Sequence, residues 1–314
     1  MIKIDNLTRR YGDFTAVDAV SFQIERGQIV GLLGHNGAGK TTIMRMLTGF
    51  LEPTSGSILI DDWVMGRDTA AIQRRIGYLP ENCPAWPEMT VIEFLEYQAM
   101  LHDVPVERRS LSIAQAIRRT ALREKAAQPI QTLSRGYRQR VGVAQAILHS
   151  PDIIILDEPT NGLDPTQILQ MRGLIRELAR SATVIVSTHI LQEVQAVCER
   201  VLILRAGRKV VDARLDELQR DARLLITLDQ DEAIARPVLQ RIAGVSAVEL
   251  LDATAGRYQY ALQAEESVTP AVSRAINQAG LSLYGLLREQ RTLEAVFAEV
   301  NAATAAAVEV PRAA

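Results

Sequence analysis

The stretch GLLGHNGAGKTT, at residues 31–42, decides the fold of this chain. Its inner part, residues 34–41, fits the pattern G-x-x-x-x-G-K-[ST], in which backbone N–H groups cradle phosphates, the lysine reaches the β- and γ-phosphates and the hydroxyl meets Mg²⁺. A β-rich run at 28–33 precedes the loop and a helix-favouring run at 42–47 follows it, so phosphates would lie at a helix N-terminus, which favours anions. The alternative is a glycine-rich turn that matches by chance, and the other motifs decide between the two.

Composition narrows the class of protein. The chain has 314 residues, 47% of them hydrophobic, and a net charge of −2. These values indicate a globular chain with room for two domains, and they argue against a nucleic-acid partner, which a basic excess would attract. The longest apolar runs are too short to span a bilayer and the N-terminus lacks a signal-peptide pattern, so we expect a cytoplasmic chain that meets a membrane only through a partner. The isolated cysteines, Cys83 and Cys198, are expected to be ordinary thiols.

Upstream of the glycine loop, residues 1–4 and 19–24 alternate like half-buried strands. Tyr11 lies beside a turn between them. An aromatic ring in this place either stacks on a nucleotide base or packs in the fold, and the local pattern does not choose between the two.

Downstream of the loop, a strand at 76–79 runs through Pro80 into Glu81, which we interpret as a polar sensor at the end of a strand. A capping box at Thr90 and Glu93 then opens a helix at 91–101, and helical segments continue to about residue 125. A helical block is therefore predicted within an α/β pattern. Its apolar residues either form the core of that block or line a groove for a partner; they are Trp86, Met89, Phe94 and Tyr97.

Two further polar sites follow this block. Ser134 begins a helix that runs to about residue 148, and its hydroxyl either caps that helix or meets an anion. A buried strand at 153–156 ends in Asp157 and Glu158. Adjacent buried carboxylates are costly without a metal or a base role, so the pair predicts the Mg²⁺ shell and the water-activating acid of a P-loop ATPase.

The remaining chain predicts a second domain. A strand at 182–187 ends at His189, and a hairpin at 201–204 and 208–211 closes the first domain near residue 215. The order strand 224–228, helix 231–243, strand 245–251, strand 257–262, helix 270–279 and strand 282–288 predicts a ferredoxin-like unit within a small α+β domain at 216–300. A last helix is predicted at 292–300, before a disordered tail at 301–314. Regulation, dimerisation and partner docking all remain open as roles for this domain.

In this order, the motifs resemble those of the nucleotide-binding subunit of an ABC transporter, over residues 2 to about 215. The resemblance implies an ABC-type P-loop NTPase domain at 1–215 with a helical subdomain at about 83–148. It also implies that Tyr11 stacks on adenine, that Glu81 stands at the Q-loop glutamine, and that Ser134 and Gly136 form the signature motif. The Walker A loop would comprise Gly34, Asn36, Gly37, Ala38, Gly39, Lys40, Thr41 and Thr42.

The same resemblance implies the catalytic roles. Asp157 is similar to the Walker B magnesium carboxylate, with Thr41 and Glu81 as further metal contacts. Glu158 is similar to the catalytic base, Asp164 to the D-loop acid and His189 to the switch histidine on the γ-phosphate, while Lys40 neutralises phosphate charge. ATP and Mg²⁺ are the implied cofactors.

Two departures point to a subfamily. The run Leu-Ser-Arg-Gly-Tyr at 133–137 replaces the usual Leu-Ser-Gly-Gly-Gln but keeps the serine and the second glycine, so we expect activity. Glu81 places an acid where the family has an amide. Both variants are similar to ABC-2 type exporters, especially gliding-motility and nitrous-oxide-reductase-maturation ATPases, in which a small C-terminal domain is common.

The resemblance finally implies the partners. Each ATP would lie between one subunit's Walker A loop and Ser134 and Gly136 of a second copy, in a homodimer bound to an ABC-2 type membrane permease at the cytoplasmic face. A soluble ABC ATPase of translation or repair is the alternative, although such proteins usually carry paired ATPase domains, zinc insertions or coiled coils. A P-loop kinase or GTPase would need neither Ser134 nor His189.

Overall fold

The computed structural model describes residues 1–83, 85–220, 223–254, 256–264, 266–289, 293–295 and 297–298. The tail at 301–314 and part of the last helix at 292–300, both expected from the sequence, lie outside the described residues. The chain divides into two compact units, Met1–Ala213 and one that begins at Arg214. Each unit is described by itself.

The first unit alternates strands and helices along the chain. Its strands are β1 (Ile2–Tyr11), β2 (Phe14–Ile24), β3 (Ile29–Leu33), β4 (Ser55–Ile60), β5 (Trp63–Val64), β6 (Ile76–Leu79), β7 (Ile153–Asp157), β8 (Thr183–Thr188), β9 (Arg200–Arg205) and β10 (Arg208–Arg214). Its helices are α1 (Lys40–Leu47), α2 (Thr69–Gln73), α3 (Val91–Leu101), α4 (Val106–Arg119), α5 (Arg135–Ile147), α6 (Pro165–Leu178) and α7 (Leu191–Val197).

A six-stranded sheet with the order β10-β9-β3-β8-β7-β6 carries the motifs. Strand β3 pairs in parallel with β8 and β9, and β7 pairs in parallel with β6 and β8. Every residue of β3 and β7 is buried, as expected for strands covered on both faces. Because parallel strands end at the same edge, the glycine loop, the acidic pair and the segment after β8 all begin at one edge of this sheet.

A four-stranded sheet with the order β2-β1-β4-β5 covers the start of the chain. Strands β1 and β2 are longer than the alternation at 1–4 and 19–24 predicts. Register shifts between Ile4 and Leu7, and again before Arg9 and Arg10, break that alternation without ending the pairing. Both sheets and helix α1 contribute to one hydrophobic core, in which Ile43 and Met44 are fully buried.

The helical insertion consists of α3, α4 and α5. The capping box predicted at Thr90 and Glu93 is confirmed, since each residue bonds to the other's backbone N–H. Phe94 is fully buried in this block, whereas Trp86 and Tyr97 are exposed. The predicted apolar set therefore divides between core and surface. Within the described residues, no helix has the length and apolar character needed to cross a bilayer.

The second unit is a ferredoxin-like domain, as predicted. It contains α8 (Leu215–Arg220), β11 (Arg223–Leu228), α9 (Glu232–Gln240), β12 (Val245–Thr254), β13 (Arg257–Ala264), α10 (Thr269–Gln278) and β14 (Leu283–Glu289). The sheet order is β12-β13-β11-β14, with every neighbouring pair antiparallel. Tyr260 is fully buried in its core and donates its hydroxyl to the carbonyl of Gln230 at 2.8 Å.

Candidate functional site

The glycine loop connects β3 to α1, and its glycines meet different steric demands. A β-carbon on Gly34 would lie 2.6 Å from the carbonyl oxygen of Leu204, so no side chain fits there. Gly39 has φ +103°, a conformation that L side chains rarely adopt. Lys40 is buried, and its Nζ donates to the Gly34 carbonyl at 2.6 Å. Lys40, the group expected to reach phosphates, therefore bonds to the backbone of its own loop in this structure.

Asp157 ends strand β7 with one of its carboxylate oxygens already occupied. Ser187, on β8, donates its hydroxyl to Oδ1 of Asp157. Asp157 is fully buried, and its Oδ2 has no hydrogen-bond partner among the described residues. A buried carboxylate oxygen without a partner is costly, and oxygen ligands of this kind suit Mg²⁺. Asp157 therefore offers one buried oxygen ligand of the kind that the predicted metal prefers.

Glu158 is held between two nitrogen groups. Nδ1 of His189 lies 3.0 Å from both of its carboxylate oxygens, and Nζ of Lys40 lies 3.7 Å from Oε1. The Glu158 side chain is 7% exposed and that of His189 is 44% exposed. Glu158 adopts φ +50°, and its N–H donates to the Ser187 carbonyl at 3.0 Å. A strained, buried acid in this setting is suited to accept a proton from a water molecule.

One cavity of about 340 Å³ collects most of the predicted site. Beside the loop residues it is lined by Tyr11, Glu81 and Glu158, which are far apart in the sequence. Tyr11 is 47% exposed, and the guanidinium of Arg9 lies 4.6 Å from the centroid of its ring. The predicted loop residues on the cavity wall are Asn36, Gly37, Ala38, Gly39, Lys40, Thr41 and Thr42.

The predicted signature and D-loop residues lie outside the lining of this cavity. Ser134 is the N-cap of α5 but makes no side-chain capping bond, so the capping interpretation is wrong. Gly136 is buried against α6, where a β-carbon would lie 2.3 Å from Oε1 of Gln167. Asp164 caps α6 and accepts from the Gln167 N–H at 2.9 Å. Gln167 thus connects the signature helix to the D-loop.

Sequence reasoning missed several residues around the site. Phe14 and His35 line the cavity, and Ser187 holds Asp157. Glu193, on α7, is a buried carboxylate that accepts hydrogen bonds from the hydroxyls of Thr160 and Thr188, close in sequence to Glu158 and His189. A signal for it was present, because Glu193 stands about one helical turn after His189 in a mostly apolar run.

The cysteines behave as expected. Burial raises the pKa of Cys83 to about 11, and burial raises that of Cys198 to about 12 with a smaller contribution from nearby acids. Both thiols are therefore protonated and unreactive at neutral pH.

Comparisons with known proteins identify the family of the chain. Residues 17–161 match the family model described as ABC transporter. The chain is 36% identical over 229 residues to the ABC transporter ATP-binding protein NatA of Bacillus subtilis, covering 71% of this chain and 93% of that protein. It is 36% identical over 239 residues to the bacitracin transport ATP-binding protein BcrA of Bacillus licheniformis, covering 74% and 77%.

Solved structures give the same result. A dimeric bacterial ABC transporter cassette superposes with a TM-score of 0.64 at 27% identity, covering 68% of this chain and 99% of that one. The cassette is also known in a post-hydrolysis state with ADP and Pi, which superposes with a TM-score of 0.63 at 26% identity, covering 68% and 99%. By its fold, its nucleotide site and these relatives, the chain belongs to the ATP-binding subunits of ABC transporters.

Proposed function

We propose that this chain hydrolyses ATP as the motor subunit of an ABC-2 type exporter, in which two copies enclose two ATP molecules and drive a membrane permease. The observation that carries the proposal is the cavity of about 340 Å³ that brings Tyr11, the Walker A loop, Glu81 and Glu158 together from separate stretches of the chain. No single motif would distinguish this protein from other P-loop NTPases.

The placement of the signature motif supports the two-copy arrangement. Ser134 is exposed at the start of α5, and its side chain makes no capping hydrogen bond. Neither Ser134 nor Gly136 lines the cavity. A hydroxyl and a helix N-terminus are suited to phosphate oxygens. Ser134 would therefore reach a nucleotide on a second copy, as the dimeric state of a similar cassette suggests.

The chemistry is one of positioning and charge. Lys40 and the loop N–H groups would hold the β- and γ-phosphates, and Thr41, Asp157 and Glu81 would hold Mg²⁺. When bound, Mg²⁺ supplies positive charge against the phosphate oxygens. Glu158 would accept the proton of the attacking water, and His189 would leave Glu158 to donate to the γ-phosphate.

A groove in the first unit offers a place for the permease. It has a volume of about 820 Å³ between α1, α2, β6 and α3, and Phe50 and Leu101 line it with exposed apolar surface. Pro80 lines this groove while the next residue, Glu81, lines the nucleotide cavity. A permease segment docked in the groove would therefore contact Pro80, directly before Glu81, the proposed nucleotide sensor. The protein would then lie at the cytoplasmic face of the membrane.

Export is supported by the relatives and by the motif variants. Among similar proteins are the Nod factor export ATP-binding protein I of Ralstonia nicotianae, at 34% identity, and the linearmycin resistance ATP-binding protein LnrL of Bacillus subtilis, at 31%. Glu81 and the Arg135 and Tyr137 substitutions in the signature are the sequence features that support an ABC-2 type exporter.

The proposal is tested in two steps. Purified full-length protein should release phosphate from MgATP, and Lys40→Ala should abolish that release whereas Lys3→Ala, at an exposed lysine on β1, should not. Affinity purification from membranes should recover a multi-helix membrane protein that is lost when Leu101 in the groove is changed to Asp. Recovery with ribosomes or DNA instead would contradict the transporter assignment.

A further inference from the structure

Glu193 joins two segments of the site that the sequence separates. It lies on α7 and is 4% exposed. Its Oε2 accepts a hydrogen bond from the Thr160 hydroxyl and a second one, at 3.2 Å, from the Thr188 hydroxyl. We call these three residues the Glu193 clamp. All three are buried, so water does not compete for their hydrogen bonds.

The clamp holds the residues on either side of the Glu158–His189 contact. Thr160 follows Glu158 by two residues, and Thr188 directly precedes His189. Nδ1 of His189 lies 3.0 Å from the Glu158 carboxylate, and this distance depends on how the turn after β7 is placed against the end of β8. On the backbone side, the Glu158 N–H donates to the Ser187 carbonyl at 3.0 Å. The clamp adds a second side-chain link between these segments, beside the hydrogen bond from the Ser187 hydroxyl to Asp157.

The direction of the hydrogen bonds explains why an acid suits this position. An ionised carboxylate only accepts, so both threonine hydroxyls must donate to Glu193. Thr188 then has a lone pair free to accept from the N–H of Ile190 at 3.1 Å. Hydrogen bonds to a charged acceptor are stronger than neutral ones, and each hydroxyl is thereby held in one orientation.

This arrangement has a cost in stability. Oε1 of Glu193 has no hydrogen-bond partner among the described residues, although it is buried. A buried carboxylate oxygen without a partner destabilises the folded state, and a neutral side chain of the same shape would avoid burying a charge. The acid is therefore not explained by folding alone.

We propose that Glu193 is a positioning residue for ATP hydrolysis, which holds the Thr160 turn and the Thr188 strand end so that Glu158 and His189 stay within hydrogen-bonding distance. The inference rests on the proposed ATPase function. Glu193 does not line the cavity proposed to hold the nucleotide. It acts by fixing where the base and the histidine stand, and small displacements of such groups slow catalysis.

The test compares Glu193→Gln and Thr188→Val with Thr183→Val as a matched control. Thr183 is another buried threonine of β8, and its hydroxyl accepts from the Gly27 N–H at 3.0 Å, away from the cavity. We expect kcat for MgATP to fall about 10-fold to 100-fold in Glu193→Gln and Thr188→Val, the range found for residues that orient active groups. The ATP dissociation constant should stay within about twofold, since none of the three clamp residues lines the nucleotide cavity.

A purely structural role would give a different pattern. Thr183→Val, which removes a structural hydrogen bond, shows that pattern: it should lower the melting temperature and leave kcat unchanged. Glu193→Gln should instead lower kcat at an unchanged or higher melting temperature. If Glu193→Gln kept the wild-type kcat while wild-type protein hydrolysed ATP, the inference would be wrong and the proposed function would stand.

A crystal structure of Glu193→Gln separates the two failures. We expect the Glu158–His189 distance to increase from 3.0 Å. If wild-type protein hydrolysed no ATP, the proposed function would fail, and an unchanged distance in the variant would overturn the clamp independently of activity.

Discussion

Replacement of Glu158 by Gln tests the central acid of the site. The Glu158 carboxylate is placed to accept a proton. It also lies 3.7 Å from Nζ of Lys40 and 3.0 Å from Nδ1 of His189. The amide keeps the shape and removes the charge. Loss of a general base lowers kcat by about 10²-fold to 10⁴-fold. Turnover should fall by this amount in Glu158→Gln.

The same substitution, Glu158→Gln, should make ATP binding tighter. A γ-phosphate has to draw Lys40 away from Glu158. At the 3.7 Å separation the attraction between these two charges is about 4 to 5 kcal/mol at an effective dielectric constant of about 20. If about a third of it survives desolvation and rearrangement, the amide lowers the cost of binding by about 1.4 kcal/mol, which is about tenfold in Kd. We therefore expect tighter ATP binding together with slower hydrolysis.

The assay needs both quantities on the same protein. Phosphate release measures kcat, and equilibrium titration with a fluorescent ATP analogue measures Kd. Glu107→Gln, at an exposed acid in the first turn of α4, is the matched control and should change neither. A wild-type kcat in Glu158→Gln would refute the assignment of the base, and weaker ATP binding would refute the competition between Glu158 and the γ-phosphate for Lys40.

Five further variants probe backbone packing, helix propensity, metal binding, stacking on the nucleotide base and stability in acid. Gly77→Ala should destabilise the fold by about 2 kcal/mol or more in urea unfolding, because its β-carbon would lie 1.9 Å from a carbonyl oxygen of α5. Gly173→Ala, in open space on α6, should stabilise it by about 0.5 to 1 kcal/mol, and a loss instead would contradict the helix-propensity argument. Asp157→Asn should raise the Mg²⁺ concentration for half-maximal turnover at least about tenfold in a metal titration; an unchanged requirement would place the ion elsewhere. Tyr11→Ala should weaken ATP binding about 2-fold to 10-fold, from a stacking energy of about 0.5 to 1.5 kcal/mol, and an unchanged Kd would assign the ring to packing. Burial raises the pKa of Asp61, but hydrogen bonds from the terminal ammonium group and two arginines hold it below its usual range. Its contribution to stability is therefore present above about pH 4 and lost as the pH falls. The melting-temperature advantage over Asp61→Asn should shrink below that pH, and a constant difference would refute the linkage.

Local patterns determined much of this protein. The glycine loop between β3 and α1 could be predicted from the sequence, because neighbouring residues encode the strand, the tight turn and the start of the helix. The capping box at Thr90 is likewise a local signal, since its two members stand one turn apart. The ferredoxin-like order of the second unit was also predictable, because strand and helix lengths are visible in the alternation of apolar residues.

Other features were decided only by tertiary structure. Bulges lengthen β1 past the point where its alternation fails, because pairing with β2 continues across each register shift. Ser187 reaches Asp157 across 30 residues and Thr160 reaches Glu193 across 33, and neither contact leaves a periodic trace in the sequence. These residues meet because β3, β8 and β7 are neighbours in one parallel sheet. Strand order of this kind follows from the burial of both sheet faces by distant segments, which no local pattern records.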